Sequence, residues 1–173
     1  MRILIDLDSI VVDLLNPWLT AYNADYDDNL TVKDIKTWDT HKFCKPECGK
    51  KMYDYLKRPG FFAGLKPLPG AVEAVKQLAA LHQVYIVTAA PDGAATEKVH
   101  WVGQYLPFLN AEKQTVVCFD KFIIDADLLI DDSPKNLEQW TTRHPTGMAF
   151  GIRYPYNESL DSWRIFLADS FDD

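Results

Sequence analysis

The sequence predicts an α/β fold in which five parallel strands form a doubly wound sheet. Two observations predict it: short apolar runs without polar alternation recur along the chain, and segments with helical spacing separate them. Runs of this kind are typical of strands that are covered on both faces. They occupy residues 2–6, 84–88, 115–119, 127–131 and 148–152.

Helical spacing of apolar residues marks the segments between these strands. Pro69 and Gly70 open the clearest helix, and Pro134 occupies the first turn of another. Helices and strands that alternate in this order predict a doubly wound sheet. The predicted helices cover residues 70–82, 94–106, 133–142 and, with Leu160, Trp163, Phe166 and Leu167 as its apolar set, 160–169.

The segment from residue 14 to residue 66 breaks the alternation. It holds no convincing central strand, and about fifty residues are too many for one crossover. Its short helical pieces are rich in aromatic residues. We therefore predict a helical cap at 14–66, inserted after the first strand above the carboxyl edge of the sheet, and a core made of 1–13 and 67–173.

Composition and charge exclude several classes of protein. The chain has 173 residues, of which 47% are hydrophobic, and this is typical of one packed globular domain. Its 18 basic and 25 acidic residues give a net charge of −7 without a basic patch, which disfavours a nucleic-acid polymer as partner. No apolar run approaches the roughly 18 residues of a membrane span. Three cysteines do not suggest a disulfide framework, so we expect a cytoplasmic protein.

Chemically active side chains follow three of the predicted strands. In parallel sheets the carboxyl ends of the strands form one edge, where ligands bind. Carboxylates gathered there repel one another by several kcal/mol at about 4 Å. They need a counter-charge, and hard oxygen ligands suit Mg²⁺, with Lys98 as a second cation. The residues at this edge are Asp6, Asp8, Thr88, Asp131 and Asp132.

Each of these signals also has an ordinary structural explanation. An Asp-x-Asp pair occurs often by chance, and Asp131 with Asp132 suits the start of a helix. Lys98 alone is typical of a solvated helix surface.

A phospho-accepting receiver domain also gathers acids, a threonine and a lysine at strand ends. His41, Cys44 and Cys48 have a metal-like spacing but lack a second pair of ligands.

The order of the motifs resembles that of haloacid dehalogenase-like phosphatases. The four motifs are Ile5-Asp6-Leu7-Asp8, Ile86-Val87-Thr88-Ala89, Glu97-Lys98 and Ile130-Asp131-Asp132. Further segments, among them residues 60–75 and Asp120-Lys121, are similar to the 5'(3')-deoxyribonucleotidases of that superfamily. The similarity runs from residue 2 to about residue 140. Ser9 departs from the glycine common after the second aspartate, and Ala89 lacks the hydroxyl of the mammalian members.

This resemblance implies an activity and a site. Asp6 would be the nucleophile that forms an aspartyl-phosphate, and Asp8 the general acid and base. Mg²⁺ would be held by Asp6, the Asp8 backbone carbonyl and Asp131, with Asp132 acting through water. The phosphate would be bound by Thr88, the Ala89 N–H and Lys98.

The implied substrate is a nucleoside 5'- or 3'-monophosphate, with deoxy sugars preferred. Aromatic residues above a phosphate site can stack a nucleobase, although core packing within the cap is the more common role of any single one of them. Another small phosphomonoester, such as a sugar phosphate or phosphoglycolate, and a non-catalytic nucleotide-binding module remain alternatives. Similar enzymes are often homodimers, and the sequence itself leaves the oligomeric state open. The predicted pocket residues are Leu14, Trp18, Phe61, Phe62, Pro91 and Lys121.

Overall fold

The structure, a computed structural model, describes residues 1–160 and 162–171, so positions 161, 172 and 173 of the predicted core lie outside it. Its strands form one parallel sheet in the order β3-β2-β1-β4-β5-β6. This sheet confirms the predicted fold class. The strands are β1 (Arg2–Ile5), β2 (Gln83–Thr88), β3 (Thr115–Val117), β4 (Leu128–Ile130), β5 (Met148–Ile152) and β6 (Ile165–Ala168).

Helices connect the strands and cover the sheet. Ser133 caps one of them, since its hydroxyl accepts a hydrogen bond from the Asn136 N–H at 3.4 Å. The α-helices are α1 (Leu15–Tyr26), α2 (Phe61–Gly64), α3 (Ala71–Leu81), α4 (Ala94–Tyr105), α5 (Ala111–Gln114) and α6 (Pro134–Arg143). Short 3₁₀ helices cover Val32–Asp34, Thr40–Lys42, Gly49–Lys57 and Lys121–Ile123. Within the described part of the chain, no helix has the length and hydropathy needed to cross a bilayer.

The central strand β1 is buried on both faces, as its apolar run predicts. Ile3 and Ile5 of β1 pack into one cluster with residues of α3 and α4, such as Val75 and Trp101. Leu4, between them, belongs to a second cluster that contains Trp140 of α6. Because successive side chains of a strand point to opposite faces, helices on both sides bury Ile3, Leu4 and Ile5 alike.

The sixth strand corrects the sequence prediction. We predicted five strands and a helix over 160–169, but Ile165–Ala168 is β6, paired with β5. Buried Ile165 lies beside Ala149, while the ring of Phe166 stacks on that of Phe150 at 5.1 Å. Trp163, assigned to the apolar face of the helix, is 82% exposed. Periodicity does not separate helix from strand in so short an apolar run, and pairing with the edge of β5 decides the outcome.

Residues 14–66, all of which the structure describes, contain helices and loops and no strand. The two ends of the segment lie side by side, because Asp13 N donates to Lys66 O and Leu68 N to Val11 O, both at 2.9 Å. Inside the segment, Trp18, Tyr22 and Met52 belong to an apolar cluster separate from those of the sheet. These observations support our proposal that 14–66 is a cap inserted into the core.

A glycine in β5 fixes the distance between two strands at the carboxyl edge. A Cβ at Gly151 would lie 2.3 Å from the backbone oxygen of Asp131, which cannot move without shifting β4. We expect Gly151→Ala to lower the free energy of unfolding by roughly 1–3 kcal/mol or more, measured by urea denaturation.

Gly103→Ala is the matched control. Its Cβ would meet only the Ala111 Cβ, at 3.6 Å, and alanine favours the interior of α4 by up to about 1 kcal/mol. Equal stability of the two variants would contradict the close approach at Gly151.

Candidate active site

The candidate site lies where the order of the strands reverses. The chain runs from β1 outward to β2 and β3, then returns to β4 on the other side of β1. Ile5 pairs with Ile130, and Asp6 N donates to Ile130 O at 2.8 Å. This register places Asp6 beside Asp131 at the carboxyl edge. Ligands of open parallel sheets bind at such a switch point.

Three buried carboxylates meet there. Asp6, Asp131 and Asp132 each offer an oxygen, and these oxygens lie within 4.8 Å of one another. Among the described residues no other cluster of three potential metal ligands exists, so His41, Cys44 and Cys48 do not form one. The Lys121 ammonium bridges two of the carboxylates, 2.8 Å from Asp6 Oδ1 and 2.7 Å from Asp131 Oδ2.

The two adjacent aspartates differ in what surrounds them. The Asp131 carboxylate accepts hydrogen bonds from Ser133 N at 2.8 Å, from the Asn136 amide at 3.0 and 3.2 Å, and from Lys121. These partners occupy its lone pairs, and the residue is fully buried. Asp132 instead lines the cavity described below. Asp132 therefore faces the cavity and Asp131 does not, whereas the resemblance assigns direct contact with the ion to Asp131.

A second buried lysine lies next to Asp8. Lys98, on α4, donates to the Asp8 carboxylate, to Thr88 Oγ1 at 3.0 Å and to the Ala89 carbonyl at 2.5 Å. Its three donors are thereby used, and neither Lys98 nor Thr88 is among the residues that line the cavity. The resemblance implies that both residues bind the phosphate. In this structure the Lys98 ammonium contacts Asp8 and the turn after β2, and Ala89 lines the cavity.

Burial and mutual repulsion act on the acids. Burial raises the pKa of Asp131 to about 6, with repulsion from Asp6 adding to the effect and Lys121 opposing it. Burial also raises the pKa of Asp132 well above its usual value. At Asp8, burial raises the pKa while Lys98 opposes the rise. One Asp8 oxygen, Oδ1, is buried without a hydrogen-bond partner among the described residues.

These residues fit a magnesium ion. When all four carboxylates are ionised, they and the two buried ammonium groups leave a formal charge of −2, which one divalent cation balances. The donors are hard oxygens of few side chains, which is the donor set that Mg²⁺ prefers when a phosphate completes its coordination. A cation beside these carboxylates would also relieve the repulsion that raises their pKa values.

A cavity of about 360 Å³ opens above the carboxylates, between the sheet and residues 14–66. Five of the six predicted pocket residues line it: Leu14, Trp18, Phe62, Pro91 and Lys121. Phe61 does not. It precedes Phe62 on the single turn of α2, so its ring points away from the cavity. The ring packs edge to face against that of Phe62 and contacts both the sheet cluster and the cluster within residues 14–66.

Several residues that line the cavity were not predicted from the sequence. Tyr156 follows β5, so it obeys the same strand-end rule that identified the aspartates. Phe119 follows β3 by two residues and could have been found in the same way. The cap residues carry no such signal, because their place depends on how irregular segments fold over the sheet. The missed lining residues include Trp38, Thr40, Tyr53, Phe119, Asn136 and Tyr156.

Comparison with solved structures defines the class of fold. A haloacid dehalogenase-like hydrolase from Burkholderia xenovorans superposes with a TM-score of 0.62 at 12% identity, covering 99% of this chain and 95% of that one. A haloacid dehalogenase-like family protein from Streptococcus pneumoniae gives 0.63 at 11% identity, covering 96% and 92%. The protein thus has the haloacid dehalogenase-like fold.

Sequence comparison defines the family within that class. A family model described as "5' nucleotidase, deoxy (Pyrimidine), cytosolic type C protein" matches residues 1–171. The 5'(3')-deoxyribonucleotidase of Clostridium acetobutylicum is 40% identical over 136 residues, which cover 79% of this chain and 75% of that protein. That of Bacillus subtilis is 33% identical over 160 residues, covering 91% and 87%. The chain belongs to this nucleotidase family, which confirms the resemblance stated above.

Proposed function

We propose that the protein is a Mg²⁺-dependent phosphomonoesterase that removes phosphate from deoxynucleoside and nucleoside 5'- or 3'-monophosphates through an aspartyl-phosphate. One observation carries this proposal: Asp6 faces an aromatic-lined cavity, with Asp8 two residues further on and a buried lysine against each. Nucleophile, proton donor and charge compensation thus lie at one edge of the sheet, as phosphoryl transfer requires.

In the first step, an Asp6 oxygen attacks the phosphorus in line with the leaving sugar oxygen. The side-chain contacts of Asp6 within the described residues, from Leu7 N at 2.7 Å and from Lys121, both use Oδ1, so we propose Oδ2 as the attacking atom. The bond between phosphorus and the sugar oxygen breaks, and its electrons go to that oxygen. Asp8 donates its proton there, and its raised pKa favours the protonated form that this role needs.

In the second step, water attacks the phosphorus of the aspartyl-phosphate. The Asp8 carboxylate accepts a proton from that water, the bond between phosphorus and the Asp6 oxygen breaks, and inorganic phosphate leaves. Asp6, Asp132 and the Asp8 backbone carbonyl would hold Mg²⁺. Asp131 would lie next to them without direct contact with the ion. When bound, the ion supplies positive charge to the phosphate oxygens.

Lys121 is the residue that we propose for direct contact with the phosphate. It lines the cavity and already lies 2.8 Å from the nucleophile, whereas Lys98 uses its donors on other groups. The Ala89 N–H and Lys121 would then hold the phosphate oxygens, with Lys98 keeping Asp8 in place.

The cavity walls favour a nucleoside as the leaving group. Trp18, Phe62 and Tyr156 are among its aromatic lining residues, and its volume of about 360 Å³ suits a small molecule. Flat apolar rings stack on bases, whereas a sugar phosphate would need polar partners for its hydroxyls. An apolar pocket also leaves a 2'-hydroxyl unpaired, so we expect deoxynucleotides to react faster.

A panel of phosphate esters tests the proposal. We expect Mg²⁺-dependent phosphate release from dUMP and dTMP that is faster than from UMP, and slow release from glucose 6-phosphate and phosphoglycolate. Trp18→Ala should raise KM for the nucleotides and leave hydrolysis of p-nitrophenyl phosphate unchanged, because a small aryl ester does not need the base wall. Faster hydrolysis of the sugar phosphate would favour the alternative phosphatase, and no turnover at all would favour a binding module.

We place this activity in the cytoplasm and on free nucleotides rather than nucleic-acid polymers. The three cysteines are free thiols, as a reducing compartment requires. The net charge of −7 disfavours a polyanion, and the cavity suits a small ligand. The homodimer implied by the resemblance remains a prediction.

A further inference from the structure

A tyrosine outside the sequence-predicted site holds Asp132. The Tyr156 hydroxyl donates to Asp132 Oδ2 at 2.5 Å, and both residues are buried. A carboxylate that is fixed through one oxygen presents the other in a defined direction. Partners of this kind orient metal-ligating carboxylates in proteins and affect metal affinity strongly.

The turn that carries Tyr156 is rigidly attached to the sheet. Asn157 is fully buried, and its amide donates to the Asp132 carbonyl at 3.0 Å and to the Ile152 carbonyl at 2.9 Å. Its side-chain oxygen accepts from Tyr154 N at 2.8 Å. These bonds tie the turn to the ends of β4 and β5, so the hydroxyl of Tyr156 reaches Asp132 from a fixed position.

Two further contacts fix the ring of Tyr156. Tyr154 stacks on it at 5.2 Å and donates its own hydroxyl to the Ser9 carbonyl at 2.9 Å. Trp38, from residues 14–66, packs edge-on against it at 5.4 Å. Ser9 has φ 57°, a left-handed conformation that non-glycine residues adopt at a cost. Strained positions of this kind concentrate at functional sites, and here the strained residue lies against the tyrosine pair.

We propose that Tyr156 is a positioning residue for the cation site: its hydroxyl holds the Asp132 carboxylate in the orientation that keeps an oxygen within reach of those of Asp6 and Asp131. The proposal rests on the magnesium site of the proposed function. It adds that the turn at 154–157, through Trp38, joins this site to the cap.

Tyr156→Phe tests the proposal, because it removes the hydroxyl and keeps the ring contacts with Tyr154 and Trp38. We expect Mg²⁺ binding, measured by calorimetry on the substrate-free protein and with Mn²⁺ by electron paramagnetic resonance, to weaken about tenfold or more. The Mg²⁺ concentration for half-maximal phosphate release should rise by a similar factor, while KM for dUMP at saturating Mg²⁺ stays unchanged. Excess Mg²⁺ should restore kcat.

Tyr154→Phe is the matched control, since it loses a hydroxyl from the same stacked pair that touches none of the carboxylates. Its Mg²⁺ affinity should equal that of the parent. Unchanged ion binding by folded Tyr156→Phe, an equal loss in Tyr154→Phe, or a parent protein that binds neither ion would overturn the proposal. If Mg²⁺ binding depends on the Tyr156 hydroxyl as expected but the protein hydrolyses no nucleotide, only the proposed function is overturned.

Discussion

Asp6→Asn should lower the rate of phosphate release by roughly four orders of magnitude or more, as expected when a covalent nucleophile is removed. The neutral amide oxygen has little nucleophilicity, so the aspartyl-phosphate cannot form. The fold should survive, because an asparagine oxygen can still accept from Leu7 N and from Lys121, the two contacts that the Asp6 side chain makes among the described residues. Phosphate release from dUMP measures the first effect, and thermal unfolding followed by circular dichroism measures the second.

Asp13→Asn controls for the substitution itself. Asp13 lies seven residues further along the chain, accepts from the Asn16 amide at 3.0 Å and is not among the residues that line the cavity. Its variant should keep the rate of the parent. If folded Asp6→Asn keeps a rate of phosphate release close to that of the parent, Asp6 is not the nucleophile. The two-step reaction would then be ruled out as well.

The sequence predicts much of the sheet because local pattern and tertiary environment agree there. The run Ile3-Leu4-Ile5 is apolar on both faces, and the fold buries both faces with helices. Asp6 and Asp131 could be predicted as neighbours because they follow strands that lie side by side. The sequence pattern does not determine the order of the strands in the sheet. The alternation of strands and helices limits that order to a few choices.

The partners of the charged groups could not be predicted in the same way. Strand-end position identifies the carboxylates, but which lysine meets which acid depends on how α4 and the 3₁₀ turn at Lys121–Ile123 pack against the sheet. The resemblance of the Glu97-Lys98 motif implies Lys98 as the phosphate ligand. The structure brings Lys121, from a 3₁₀ turn before β4, between Asp6 and Asp131 instead. The ends of β1, β2 and β4 identify the aspartates and Thr88, whereas Tyr156 lies beyond the end of β5.

Lys121→Met should destabilise the protein more than any surface substitution. Lys121 is 2% exposed and touches two buried carboxylates, so its removal leaves negative charges without compensation. Breaking a buried ion pair in this way costs about 3–5 kcal/mol, and at this chain length that lowers Tm by roughly 10 °C. Added Mg²⁺ should recover part of the loss, because the ion replaces the missing charge. Lys113→Met, on the exposed side of α5, should leave Tm unchanged.

The same variant separates the roles of the two buried lysines. If Lys121 holds the phosphate, Lys121→Met should weaken competitive inhibition by inorganic phosphate about tenfold to hundredfold, the range for a hydrogen bond to a charged group. Lys98→Met should lower kcat, because Asp8 and the turn at Ala89 lose their support, and it should leave the inhibition constant of phosphate unchanged. The opposite pattern, with phosphate affinity lost in Lys98→Met and retained in Lys121→Met, would restore the assignment made from the sequence. It would also mean that the contacts of Lys98 with Asp8 and Thr88 are exchanged for the phosphate when a substrate enters.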